Sequence, residues 1–188
     1  MSLSPSLTLQ PENTLLVVVD MQEAFLRVMH GPDVLTANAL LLMRSVAVLG
    51  VPVIATTQNA ARLGGLAPEV AAALSPDAPA PLDKLTFSCT GSEPFLAALA
   101  QSGRRQILLC GVETHICVAQ TALDLVRLGY SAHIAADAVS SRTLEKHKLG
   151  MERARDGGVL PCAAEAAVYE LLGAAGTPAF KQILSLVK

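Results

Sequence analysis

The sequence has no tryptophan, and only four phenylalanines and two tyrosines among 188 residues. Aromatic stacking therefore cannot build the interior, and with 52% apolar residues the core has to come from Ala, Val, Leu and Ile. Lysines and arginines form no run and the net charge is -2, so the cationic footprint that grips a phosphate backbone is missing and a nucleic-acid partner is not expected. Apolar stretches break well short of the ~18 residues a bilayer crossing needs, which argues against a membrane partner. The opening "MSLSPSLTLQPEN" has neither a cationic start nor an apolar h-region, so no signal peptide is expected and residues 1–12 read as a loose N-terminal extension. The four cysteines, Cys89, Cys110, Cys117 and Cys162, contain no CxxC pair. They read as reduced thiols in a cytoplasmic, or at least reducing, setting.

What is present is an alternation over a length that suits one domain, residues 1–188. "TLLVVVD" (14–20), "VPVIATT" (51–57), "RQILLCG" (105–111), "SAHIAADA" (131–138) and "VLPCAA" (159–164) are unbroken apolar runs, the mark of strands covered on both faces. Helical patterns occupy about 33–49, 66–74, 92–103, 114–128, 142–158 and 164–173. Residues 78–88 are Pro-rich and then polar, a loop leading through a short edge strand. Strand–helix–strand repetition implies right-handed crossovers, hence an α/β fold with a parallel sheet between two helix layers.

In such sheets ligands gather beyond the carboxyl ends of the strands. The residues there are Asp20 after the first run, "TTQN" (56–59) after the second, Lys84 before helix 92–103, and Cys117 beyond Gly111. Each alone has an ordinary reading: a turn cap for Asp20, a solvated lysine for Lys84, a small packing residue for Cys117. At ~100° per residue, however, Ile116, Ala119, Leu123 and Val126 form one stripe, widened by Val118, Ala122 and Leu125. Cys117 falls on the opposite arc with Gln120, Thr121 and Asp124, in the first helical turn, where N–H groups and the dipole favour a thiolate. Cys110 and Cys162 sit in apolar strands and read as packing; Cys89 follows a polar segment near the same rim.

Three separated motifs, Asp20 in "VVVDMQ", Lys84 in "LDKLTFSC" and Cys117 in "LLCGVETHICVAQTALDLVRLGY", together with "AADAVSSR" (135–142), resemble the isochorismatase-like cysteine hydrolases, the group of isochorismatase, nicotinamidase and N-carbamoylsarcosine amidase. The likeness runs from "LLVVVDMQEAF" to "AEAAVYELL". It implies a Rossmann-like three-layer α-β-α fold with a six-stranded, mainly parallel sheet. It also implies an Asp20–Lys84–Cys117 triad and a cis peptide between Val112 and Glu113 that turns backbone N–H groups toward the pocket.

The chemistry of these residue types agrees. A free thiol has a pKa of ~8.5, so little thiolate exists near neutrality. Asp20 can take the thiol proton, and Lys84 supplies a charge that stabilises a thiolate. Cys117 then attacks a carbonyl carbon, and backbone N–H groups from Glu113 to Cys117 are candidate oxyanion donors. Nicotinamidases of this group hold a metal through an Asp and two His after the first two strands. Here His30 is the only histidine between Asp20 and Lys84, so neither a metal nor another cofactor is expected. Isochorismatases proper cleave a vinyl ether without a thiol nucleophile, so Cys117 favours C–N hydrolysis of a small-molecule amide or imide. A vinyl-ether hydrolase, a zinc enzyme or a non-catalytic redox-responsive scaffold remain as alternatives. Gln22, Phe25, Gln58 and His115 are the candidate pocket residues, His115 reading equally as a helix-end residue; His133 and His147 read as structural or solvated. Mean hydropathy is +0.46, a surplus that, with the resemblance, implies a homo-oligomer between dimer and octamer.

Overall fold

The structure, a computed structural model, describes residues 7–187. The apolar runs without alternation form its central strands: β1 (Thr14–Val19) is buried at every position, as a strand covered on both faces must be. In chain order follow α1 (Glu23–Leu26), α2 (Pro32–Leu49), β2 (Val53–Gln58), α3 (Ala60–Leu63), α4 (Pro68–Ala72) and β3 (Leu82–Lys84). A 3₁₀ turn (Cys89–Gly91) then leads to α5 (Glu93–Ser102) and β4 (Gln106–Val112). A π turn (Thr114–Val118), α6 (Ala119–Arg127), β5 (Ser131–Ser140), α7 (Leu144–Asp156), β6 (Leu160–Cys162), α8 (Ala164–Leu172) and α9 (Pro178–Val187) complete the chain. The sheet has six strands in the order β3-β2-β1-β4-β5-β6, and every neighbouring pair is parallel. The α/β architecture expected from the sequence is the one found.

Side chains of β1 alternate between two cores. Leu16 and Val18 join Leu35, Leu42 and Val46 of α2 with Val168 of α8 and Ile183 of α9. Leu15, Val17 and Val19 join Phe95 and Leu99 of α5, Ala122 and Leu125 of α6 and Met151 of α7. By composition alone α2, 18 residues with mean hydropathy 1.4, is apolar enough to cross a bilayer. Its stripe of Leu35, Ala39, Leu42, Met43 and Val46 is instead buried against the sheet, α8 and α9.

Four local expectations are corrected. Residues 1–6 of the proposed loose extension lie outside the described residues, while 7–12 are tied down: Leu9 is 2% exposed in the core, and its N–H donates to Glu170 Oε2 at 2.9 Å. The helix expected from 114 begins as a π turn, because the N–H groups of both Ile116 and Val118 reach the carbonyl of Glu113. β5 continues to Ser140 after a register shift opposite Leu109 and Gly111. The C-terminal helix α9 went unpredicted, although Pro178 at its first position is a start signal.

Candidate active site

Strand order does most of the assembly. β3, β2, β1 and β4 are consecutive neighbours, so Lys84, the end of β2, Asp20 and the turn carrying Cys117 line up along the carboxyl rim. β3 and β1 lie two strand spacings apart, ~10 Å, a gap that only a long side chain can bridge. Lys84 does so: its Nζ meets Asp20 Oδ2 at 2.7 Å, with Lys84 4% and Asp20 0% exposed. Passing over β2, the ammonium also donates to Gln58 Oε1 at 2.7 Å and to the carbonyls of Thr86 and Phe87, both at 3.2 Å. Thr56 lies two residues before Gln58 in the same strand and faces the same side. Its hydroxyl donates to Asp20 Oδ1 at 2.7 Å.

Asp20 is held by its backbone as well. Its φ is 51°, a left-handed conformation unusual for a residue other than glycine. Its N–H donates to the carbonyl of Thr56, and its own carbonyl accepts from Gln22 N–H at 2.7 Å. Beside it the chains of β1 and β4 nearly touch at Gly111: a Cβ there would lie 2.1 Å from the carbonyl oxygen of Val19.

Cys117 is 6% exposed and belongs to the core cluster beneath α5 and α6. Burial pushes its pKa up to about 12; the charge of Asp20 adds to the rise and the Lys84 cation opposes it. The sequence reading expected the helix terminus to favour a thiolate; burial of Cys117 opposes that charge in the resting protein. Cys89 sits in the same cluster, its pKa raised to about 11 chiefly by burial, and its Sγ is 3.8 Å from Thr56 Oγ1.

The remaining candidates divide. Gln58 joins the cluster as an acceptor for Lys84, and its own amide donates to the Leu85 carbonyl at 2.9 Å. Gln22 is fully buried and bonded to backbone: Oε1 accepts from Gln58 N–H at 2.7 Å, and Nε2 donates to the carbonyls of Gln58 and Gly64. It positions the end of β2 from beneath. Phe25 is half-buried against the α2-side core. His115 pairs through Nδ1 with Ser141 Oγ at 2.9 Å, and burial lowers its pKa. Val112 is buried at the end of β4, and the Val112–Glu113 peptide is cis. Glu113 Oε2 accepts from the backbone N–H and the Nε of Arg142, each at 3.1 Å. Sequence reasoning placed Thr56 in the rim segment "TTQN" and Thr121 and Asp124 on the polar arc with Cys117, but gave none of the three a role; the period-2 alternation of β2 and the polar arc were the available signals.

Residues that would hold a metal do not fit one. Among the described residues no group of three His, Cys, Asp or Glu side chains converges. The segment "NAARLGG" after β2 offers one amide side chain, and the carboxylate of Asp83 on β3 is taken by the Thr57 hydroxyl and the Ala60 N–H.

An acid, a cation and a thiol meet at the rim of a parallel sheet, and the Isochorismatase domain family matches residues 14–166. The chain belongs to the isochorismatase family. It is 38% identical over 188 residues to the secreted isochorismatase effector Isc1 of Phytophthora sojae, covering 95% of this chain and 86% of that one. It is 35% identical over 179 residues to isochorismatase domain-containing protein 2 of Bos taurus, covering 95% and 84%. Among solved structures of this fold, the MAR1 ribonuclease from Caenorhabditis elegans superposes with a TM-score of 0.89 at 29% identity, covering 96% of this chain and 92% of that one. In this isochorismatase-family hydrolase fold, Asp20 and Lys84 lie at the carboxyl ends of β1 and β3, and Cys117 lies just beyond the end of β4.

Proposed function

We propose that this isochorismatase-family chain is a metal-independent cysteine hydrolase that cleaves a C–N bond of a small amide or imide through a thioester on Cys117. One observation carries the reading: a fully buried Lys84–Asp20 pair at 2.7 Å lies within electrostatic reach of a buried thiol. A buried ion pair contributes little net stability after desolvation, so packing alone gives no reason for it beside a cysteine.

Cys117 Sγ attacks the substrate carbonyl carbon while its proton passes to the Asp20 carboxylate, so the neutral resting thiol is activated only as the bond forms. Backbone N–H groups between 113 and 117 receive the oxyanion. As the tetrahedral intermediate collapses, Asp20 returns the proton to the leaving nitrogen, the C–N bond breaks and the thioester remains. Water then attacks the thioester carbon, its proton going to Asp20. The thiolate leaves and takes that proton back, and a carboxylic acid is released. Lys84 keeps its charge throughout and offsets the negative charge that moves between Asp20 and sulfur.

A panel of small aliphatic and aromatic amides and imides, assayed for released ammonia or amine, tests this. At least one substrate should turn over, chelators should leave the rate unchanged, and Cys117→Ser should lower kcat by ~10³-fold or more. An acyl adduct on Cys117 should appear by mass spectrometry. Full activity in Cys117→Ala would sink the proposal. Burial that keeps the Cys117 thiol neutral favours a second reading, vinyl-ether hydrolysis. In it Asp20 first takes a proton from water and passes it to the vinyl carbon, the hydroxide adding to the oxocarbenium carbon before the C–O bond breaks; there Cys117→Ala stays active and Asp20→Asn does not. RNA belongs in the panel because a structural relative is called a ribonuclease; with net charge -2 and no basic run, no cleavage is expected. We also assign the chain to a reducing, cytoplasmic compartment, supported by four free thiols, and to a homo-oligomer, supported by exposed Val28, Val34, Leu85, Phe87 and Leu149.

A further inference from the structure

Lys84 belongs to a three-residue strand at the sheet edge, bonded on one side only. Beyond it the chain is irregular and exposed: Leu85 is 74% and Phe87 56% accessible. Yet the carbonyls of Thr86 and Phe87 supply two of the acceptors that hold the Lys84 ammonium. A segment so open to solvent has to be fixed from elsewhere to keep those carbonyls in place.

Its far end is fixed to α6. Ser88 Oγ donates to Asp124 Oδ2 at 2.7 Å, and Thr90 Oγ1 donates to the same oxygen at 3.0 Å. Cys89 N–H donates to Thr121 Oγ1 at 2.9 Å. Nearer Lys84, Thr86 Oγ1 donates to the Ser88 carbonyl. Thr121 and Asp124 lie four and seven residues beyond Cys117, on the same arc. The π turn that carries the thiol thus runs directly into the helix whose Asp124 anchors the lysine segment.

We propose that Asp124 is a positioning residue: through Ser88 and Thr90 it fixes the 85–90 segment, and with it the Lys84 ammonium, relative to Cys117. The inference rests on the cysteine-hydrolase reading above. Asp124 never touches the reacting atoms. It acts as a two-hydroxyl acceptor, a task its charge suits because charge-assisted hydrogen bonds are the stronger kind. The Ser88 hydroxyl, chiefly, holds its pKa below the ordinary carboxylate value. Arg127 also reaches Asp124, at 3.2 Å through Oδ1, from an exposed position on the opposite side of the carboxylate.

Alkylation of Cys117 by iodoacetamide, mapped by mass spectrometry across a pH series, reads the environment of the thiol without needing the natural substrate. Asp124→Ala should slow labelling at a given pH by ~10-fold, the size of one charge-assisted hydrogen bond, and move the profile toward alkali. The double variant Ser88→Ala/Thr90→Ala, which leaves α6 intact, should reproduce the shift, and Arg127→Ala should not. A wild-type profile in both Asp124→Ala and the double variant, with only the melting temperature lowered, overturns the proposal, and so does an equal shift in Arg127→Ala. Lys84→Ala is the separate control. If it too leaves Cys117 labelling unchanged, the cysteine-hydrolase reading itself fails; if it slows labelling while Asp124→Ala does not, only the positioning role is lost.

Discussion

Lys84 has three ammonium hydrogens and four acceptors around them: Asp20, Gln58 and two carbonyls. Such a cation is fully used by its own protein and serves as a fixed charge. Removing either member of the pair strands the other in the interior. Asp20→Asn and Lys84→Met are therefore each expected to destabilise the fold by ~3–5 kcal/mol, while the double variant recovers most of that loss. Activity should be absent in all three, so urea titrations beside the amide assay separate the structural cost from the chemical one. The thiols set a pH limit. Cys110, Cys117 and Cys162 have pKa values raised from 9.0 to about 12, in each case chiefly by burial. The folded state keeps protons that the unfolded chain releases, so this stability is complete below pH 9 and is lost as pH rises toward 12. Melting temperature should fall between pH ~9 and ~12, less steeply in Cys110→Ala. At this scale Asp20 and Cys117 stood out because each ends or follows an apolar run, whereas Lys84, in a Pro-rich and then polar segment, was marked by the resemblance of "LDKLTFSC". The charge state of the thiol was not legible, since burial depends on what α5 and α6 lay over it.

Elements place these residues by close approach. At Gly150 of α7 a Cβ would meet the Cα of His115 at 2.7 Å, so that helix rests on the backbone of the π turn that leads to Cys117. Gly150→Ala has to push α7 away or distort the turn. It is expected to lower kcat by more than a tenfold loss, ~1.4 kcal/mol, with a smaller effect on KM; unchanged kcat in a folded variant would count against that packing role. Gly111→Ala, with its φ of 112° and its neighbour Val19, is expected to impair folding outright, visible as a lowered yield and melting temperature. Helix α5 was readable from its early Pro and closing Gly, and α2 from its stripe and Gly50. The π turn was not, because a five-residue hydrogen-bonded loop leaves no mark in a pattern of apolar spacing. Nor was the Ser88–Asp124 clamp, whose partners are 36 residues apart.

For the whole molecule, strand order was the missing quantity. Alternating strands and helices implied a parallel sheet, but only the order β3-β2-β1-β4 makes Lys84 and Cys117 neighbours of Asp20 from opposite sides. Exposed Leu85, Phe87, Val28, Val34 and Leu149 leave apolar surface that an isolated chain would show to water. Sedimentation velocity is expected to give a species at least twice the 19.5 kDa of one chain; a monomer at all concentrations would remove the assembly assignment. The edge location of β3 has a consequence for inactivation. The strand holding the cation is short and paired once, so it belongs to the parts of a protein that open locally, ahead of global melting. Amide exchange at 82–88 should therefore outpace that of the central strands, and on slow warming or in mild denaturant the enzyme should fall silent while its circular dichroism still reads native.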